Sequence, residues 1–403
     1  MYTAVHNAHV YTANPFTFGA LALDDAFVDR EPELSELAAD LRSGQDVVIL
    51  APRRFGKTSL AFHAIQDVQR EGILVAYCDL MRTPTKARFA AALAKTILDD
   101  LSSPAGQLLD RAAALVRTLR VRPTMEVDPV EGDVRFSFTA SRSREDIDDT
   151  IDRLLELPGR IAAERGKRTA LVLDEFQEVT RLDETLPNRM RAVFQTQPEV
   201  SHVYLGSKRH VLDALFNDRN EPFWRSARQM IVGRLPHDAL GAYVRDRFAR
   251  SERDIDDDAL VRLLDLADGH PYATQELAFF AWARVLHGHA AHASDVEAAV
   301  VDVLRAEHNN LSRIWEGATQ NERLVLLALR SGPASLYAEE TRLTAGLPAA
   351  TFVQRAVSAL VREDVVQKGA DGRYVIAEPF LAEWIGREEA GGLEQARRAE
   401  AES

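Results

Sequence analysis

One eight-residue stretch constrains this chain more than any other: Ala51-Pro52-Arg53-Arg54-Phe55-Gly56-Lys57-Thr58. It follows an apolar run, Val47-Val48-Ile49-Leu50, which reads as a buried strand. It precedes Ser59-Leu60-Ala61-Phe62-His63-Ala64-Ile65, which reads as a helix start. Strand, loop, Gly-Lys-Thr and helix together make the context of a phosphate-binding loop. In that context the N–H groups of the loop and of the helix N-terminus converge on an anion. Pro52, Arg53, Arg54, Phe55, Gly56, Lys57, Thr58 and Ser59 are therefore the candidate phosphate-binding residues. Lys57 is expected to reach the β- and γ-phosphates, and the Thr58 hydroxyl to help hold Mg²⁺. Ala51 stands where the pattern G-x-x-x-x-G-K-[ST] has its first glycine. Alanine fits there only where φ stays negative. Taken alone, the segment also allows a chance Gly-Lys-Thr at a helix start.

The second landmark is Thr169-Ala170-Leu171-Val172-Leu173-Asp174-Glu175. Its apolar run ends in two carboxylates, which puts them at the C-terminal tip of a buried strand. In an open α/β sheet that tip faces the ligand crevice. Asp174 is the candidate Mg²⁺ residue, and Glu175 the candidate base for an attacking water. An acidic residue at a strand end is common. Paired with an upstream phosphate loop, it is far more specific. Gln177, just beyond, is a candidate near the γ-phosphate. His202-Val203-Tyr204-Leu205-Gly206-Ser207 reads as a further strand with Ser207 at its tip. Ser207 is placed either to sense the γ-phosphate or simply to end a strand. Arg225 and Arg228 precede an expected strand at Met230-Ile231-Val232. They are candidates for a cation on the γ-phosphate, in cis or from a neighbouring subunit. A solvated or ion-paired fate is the alternative for each.

Around these landmarks the chain reads as an α/β core followed by helices. Apolar runs at 73–80 and 169–173 predict strands, and helical spacing is clear over 85–101 and 143–165. Alternation on both sides of Glu131-Gly132-Asp133 predicts a hairpin, inserted near 120–140. Phe27-Val28-Asp29-Arg30-Glu31 leads into a helix with Pro32 in its first turn. Lying just before the first strand, Phe27 and Val28 are candidates to flank a nucleotide base. Arg30 would contact the base or tie the segment down. Over 236–308 strands are not expected. Helices are predicted at 237–250, 256–267, 273–286 and 293–308. Pro271, at a helix start after Gly269-His270, is a candidate to pack on the base. Three further helices at 322–330, 338–345 and 349–363 are followed by a two-stranded element across Gly369–Gly372. That order is a winged helix-turn-helix pattern.

Composition narrows the partners. The net charge of −13 argues against broad, sequence-independent nucleic-acid binding, which depends on clustered Lys and Arg. The winged-helix segment is itself near neutral. DNA contact through 349–377 is thus weakly supported, and a protein partner, self-association or intramolecular packing is favoured. The lone cysteine, Cys78, lies in an apolar strand and fits a small core residue in a reducing compartment. No run of about 18 apolar residues predicts a membrane span, and a cytoplasmic location is expected.

With these residues in place the chain resembles the archaeal-type ATPase family, a STAND and AAA+-like branch of P-loop NTPases related to Orc/Cdc6 proteins. The resemblance is carried by Phe27-Val28-Asp29-Arg30-Glu31, the 51–60 loop, Leu171-Val172-Leu173-Asp174-Glu175-Phe176-Gln177 and Gly206-Ser207. Pro222-Phe223-Trp224, Gly269-His270-Pro271 and the closing Glu378-Pro379-Phe380 add to it. It implies ATP or ADP with Mg²⁺ as cofactors. It also implies a core over 27–235, a helical lid over 236–308 and a winged-helix domain over 309–387, with a flexible tail at 388–403. Residues 1–26 have no counterpart in it and read as a surface arm or a packed extension. The function implied is a slow ATP-hydrolysing switch. An Orc/Cdc6-like DNA-binding ATPase and an ADP-bound scaffold without turnover are the alternatives.

Overall fold

The computed structural model describes residues 13–19, 27–101, 123–127, 134–138, 144–330, 332, 334–369 and 371–388, with 123–127, 134–138 and 144–145 given by backbone alone. The chain divides into two compact units, Arg30–Gly233 and a second made of Met1–Asp29 with Arg234–Ser403.

The first unit opens with α1 (Glu31–Ser43), whose acidic first turn and Gly44 in the left-handed region at its end are good terminal chemistry. Strand β1 (Val47–Leu50) is buried at all four positions, as its unbroken apolar run requires of a strand covered on both faces. Then follow α2 (Lys57–Arg70), β2 (Leu74–Asp79) and α3 (Lys86–Leu101). The hairpin is present as β3 (Pro123–Val127) and β4 (Val134–Phe138), antiparallel with Pro123 opposite Phe138. The Glu131-Gly132-Asp133 turn lies outside the described residues. Next come α4 (Arg144–Arg165), β5 (Thr169–Asp174), α5 (Val179–Leu182), α6 (Leu186–Phe194), β6 (Val200–Gly206), α7 (Arg209–Asn217) and β7 (Arg228–Ile231). The five longer-range strands form one parallel sheet in the order β2-β5-β6-β1-β7. This is the parallel α/β sheet that the sequence predicted.

One face of that sheet carries an aromatic cluster. Phe176, Tyr204, Phe216 and Phe223 are fully buried, with ring centroids 4.6 to 6.1 Å apart. Tilted and edge-on pairs of this kind add about 0.5–1.5 kcal/mol each beyond burial. They anchor the turn after Asp174 to the strand that ends at Gly206. Helices that share this core are tied together by charge: Lys86 pairs with Asp148 and Asp183, and Arg189 with Asp148 and Asp152, joining α3, α4 and α6.

The second unit continues with α8 (His237–Arg250), β8 (Asp254–Ile255), α9 (Asp257–Ala267), α10 (Pro271–Arg284), β9 (Ala290–Ala291), α11 (Ala293–Ala306) and α12 (His308–Gly317). Strands were not expected here, yet β8 and β9 form a two-residue parallel pair. Two residues carry no readable periodicity, so only the tertiary pairing reveals them. Likewise the expected helix at 293–308 ends at Ala306, and α12 follows as a separate element. Then come α13 (Gln320–Leu329), α14 (Glu339–Thr344), α15 (Ala350–Arg362), β10 (Val366–Lys368) and β11 (Tyr374–Ile376), the last two antiparallel. Three helices and an antiparallel pair thus follow one another over 320–376, with α12 as a further helix ahead of them.

Residues 13–19 join this unit. Phe16 is fully buried against Tyr243 and Phe248, and Phe18 meets Tyr272, Phe279 and Phe280 edge-on or tilted. The Asn14 side-chain amide donates to the Phe279 carbonyl at 2.9 Å. Of the two expectations for the N-terminal extension, this part follows the packed one. The remainder of 1–26, like the tail at 389–403, lies outside the described residues.

Candidate active site

Three neighbouring strand tips build the site, all within the first unit. β1 runs into the 51–56 loop and α2. β5 ends at Asp174, with Glu175 next. β6, between them in the sheet, ends at Gly206 and is followed by Ser207. In the loop the left-handed positions are Arg54, at φ 64°, and Gly56, at φ 83°. Ala51, fully buried, is not one of them, so the missing glycine brings no left-handed strain. Gly56 is the N-cap of α2 and brings no side chain to cap it. A helix start of this kind turns its first-turn N–H groups and its positive end toward an anion.

The residues anticipated from two distant parts of the sequence meet here. Lys57 Nζ lies 3.1 Å from Glu175 Oε1 and 3.5 Å from Asp174 Oδ1. Thr58 Oγ1 donates to Asp174 Oδ2 at 3.1 Å. Ser207 Oγ donates to Glu175 Oε2 at 2.7 Å, and Gln177 Nε2 donates to the same oxygen. Glu175 itself sits in the left-handed region at φ 54°. A non-glycine residue held there is uncommon and gathers at functional sites. Burial opposes ionisation of Glu175. The Lys57 charge and the hydrogen bonds from Ser207, Gln177 and Lys57 outweigh it and hold the carboxyl below its ordinary value.

One ammonium faces two carboxylates, so the trio carries a net charge of about −1 at neutral pH. That balance favours a cation alongside any phosphate. Thr58 and Asp174 present hard oxygen donors 3.1 Å apart. Among the described residues no group of three or more His, Cys, Asp and Glu side chains gathers. The pair therefore fits Mg²⁺ that shares its other positions with phosphate oxygens and waters, and does not fit an all-protein cage.

Sequence reading missed Tyr77. Its hydroxyl donates to Asp174 Oδ2 at 2.6 Å, from 97 residues away in sequence. Burial first, and then the Asp174 charge and hydrogen bond, push its phenol well above the ordinary value. It was hidden as one more apolar residue in the β2 run. The only available signal was its polar tip, two positions before the acidic end of that strand.

Other candidates fall elsewhere. Arg228 is corrected: it begins β7, paired with Val47 at the start of β1, at the end of the sheet away from the phosphate loop. There it is tied to Asp40 and Glu36, away from this chain's own phosphate loop. The expected strand began two residues later, which had left Arg228 in a loop. Arg225 is exposed, with φ 51°, and its guanidinium lies 5.1 Å from the centre of the Trp224 ring. Arg30 is 5% exposed and donates to the Gly233 carbonyl at 2.5 Å and to Glu33 at 2.9 Å. Its role in this structure is to tie its segment down. Phe27, Val28 and Pro271 belong to the second unit, where Val28 packs on the apolar core and Pro271 opens α10.

Gly206 is required for space. A Cβ there would lie 2.2 Å from Gln177 Oε1 and 2.7 Å from Leu212 Cδ1. Gly206→Ala is expected to lower stability by about 1–3 kcal/mol through overpacking. Denaturant unfolding measures it. An unchanged midpoint would mean that Gln177 yields freely.

Residues 27–211 match a family described as an ATPase domain predominantly from Archaea. No curated protein matches the chain. Among solved structures it is similar to a Walker-type ATPase of Pyrococcus abyssi, at 14% identity and TM-score 0.63, covering 92% of this chain and 99% of that one. It is also similar to the Aeropyrum pernix Orc1 protein, solved in complex with DNA, at 18% identity and TM-score 0.47, covering 89% and 92%. A third is the RuvB Holliday junction branch migration motor of Thermotoga maritima, at 16% identity and TM-score 0.42, covering 90% and 96%.

Proposed function

We propose that this chain, whose residues 27–211 match a family described as an ATPase domain predominantly from Archaea, binds ATP with Mg²⁺, hydrolyses it slowly, and serves as a regulatory switch of the STAND and AAA+ kind. The single observation that carries the reading is the Lys57–Glu175–Asp174–Thr58 cluster at the N-terminus of α2. In it the loop amides and Lys57 bind the β- and γ-phosphates, with Pro52, Arg53, Arg54, Phe55, Gly56 and Ser59 shaping the loop. Thr58 and Asp174 would hold Mg²⁺, which supplies charge neutralisation on the phosphates when bound. Glu175 accepts a proton from the attacking water, while Ser207 and Gln177 hold its carboxylate in place. Arg225 is a cation candidate, in cis or from a second copy. Phe27, Val28 and Pro271 are the proposed base contacts. The 236–308 helices as a lid and 309–387 as a winged helix are the proposed responding parts.

Native mass measurement with ADP, and with a slowly hydrolysed ATP analogue, tests this reading. Bound nucleotide is expected, held more tightly when Mg²⁺ is present. A chain that takes up neither ligand ends the proposal. Copurifying ADP with unmeasurable turnover would move the protein to the scaffold reading.

A DNA-binding variant of this function has one feature in its favour. Arg355 and Arg362 are exposed on α15 and form no ion pair among the described residues. Phe352 is also exposed on α15, and Tyr337 and Leu343 are exposed nearby in sequence, which favours a protein partner. The DNA reading requires duplex affinity that falls steeply with salt and with Arg355→Ala.

A further inference from the structure

We infer that Tyr77 is a positioning residue for the metal-holding carboxylate, fixing the orientation of Asp174 toward Mg²⁺. The inference rests on the ATP–Mg²⁺ reading above and deepens it.

The residue is itself held from three sides. Among the described residues β2 is the edge strand of the sheet, so its outward N–H and C=O groups have no strand partner there. At Tyr77 both are met by α3: the backbone N–H donates to Asp100 Oδ2 at 3.0 Å, and the carbonyl accepts from Thr96 Oγ1 at 3.3 Å. On its inward edge Tyr77 pairs with Val172, two residues short of the register pair Asp79–Asp174. Its ring lies 4.7 Å from that of Phe62, centre to centre. Phe62 stands one turn along α2 from Thr58, so one helix both backs the tyrosine and supplies the hydroxyl paired with Asp174.

The consequence falls on the carboxylate. Asp174 Oδ2 accepts from Tyr77 at 2.6 Å and from Thr58 at 3.1 Å, while Oδ1 accepts from the Glu175 N–H at 2.8 Å. An ionised carboxylate offers about four acceptor sites. These three donors fix both oxygens and stop the group rotating. The Thr58 hydroxyl is itself a prospective metal ligand and would be shared with a bound cation. Tyr77 has no such second task, so its bond to Asp174 would not compete with metal binding. Outer partners of this kind set the affinity of the ligands they orient.

Tyr77→Phe removes the hydroxyl and keeps the ring against Phe62. The readout is Mn²⁺ affinity of the full-length chain in the presence of ADP, followed by the spin signal of free Mn²⁺. ADP affinity in a metal chelator and the ligand-free melting midpoint are measured beside it. Mn²⁺ affinity is expected to fall about 10-fold, with chelator-phase ADP binding and the midpoint unchanged. Equal Mn²⁺ affinity in both proteins overturns the inference alone. A parallel loss of all three readouts also overturns it, since that is a structural defect. Wild type that binds no ADP under either condition overturns the ATP–Mg²⁺ reading, and this inference with it. Should Tyr77→Phe fail to fold, Asp100→Ala loosens the same tyrosine from outside the site. It is then expected to weaken Mn²⁺ by a smaller factor, and an unchanged value overturns the inference.

Discussion

Glu175→Gln is expected to lower the hydrolysis rate by about 10²–10⁴-fold, the usual contribution of a positioned general base, while nucleotide affinity holds or rises. The two effects separate because Glu175 has two roles in this structure. As a base it takes a proton from water, which a carboxamide does not do. As an ion-pair partner it holds Lys57 at 3.1 Å, and that pairing must break before the ammonium reaches a phosphate. Glutamine removes the competing charge while keeping the shape and the acceptor that Ser207 and Gln177 address. Single-turnover phosphate release and equilibrium titration of the same protein give both numbers. Unaltered release would remove Glu175 from the chemistry. The carboxyl is held below its ordinary value in the ligand-free site. The acid limb of kcat/KM, which reports the free enzyme, is therefore expected below the ordinary glutamate value of about 4.3.

Lys57→Ala is expected to weaken ATP and ADP binding by about 10–150-fold, the fold-change for losing a charged hydrogen bond of ~1.5–3 kcal/mol. The ligand-free protein suffers as well. Asp174 and Glu175 would then face each other without their shared cation, and the Glu175 carboxyl would rise as the attraction holding it down disappears. Titration with a fluorescent nucleotide measures the affinity. The ADP-induced rise in melting temperature should shrink with it, because stabilisation by a ligand follows ligand concentration over Kd. Wild-type affinity in this variant would show that the helix N-terminus alone holds the phosphates.

The two chemical landmarks were legible because each is local. A phosphate loop is specified within eight residues, and an acidic strand end within seven, so chain order alone shows both. Their meeting was legible only by combination, since a parallel sheet brings the C-terminal tips of its strands to one edge. Arg228 shows where that reasoning stops. Whether a residue opens a strand or precedes it is a matter of two positions, and that shift moved it from the ligand end of the sheet to an ion pair with Asp40. Phe16 and Phe18 carried no periodicity, yet they pack into the helical unit, because single aromatics find their pockets through contacts more than 200 residues away in sequence.

By itself the sequence determined the parallel α/β core, the loop that addresses phosphate, and the acidic pair that faces it. Each follows from local apolar runs and from residues only a few positions apart. The tertiary structure alone decided how Ala51 is accommodated, that Lys57 is shared between two carboxylates, and that Tyr77 fixes Asp174. Those facts depend on backbone angles and on side chains about 100 residues apart. The register of neighbouring strands, rather than any local preference, sets such distances.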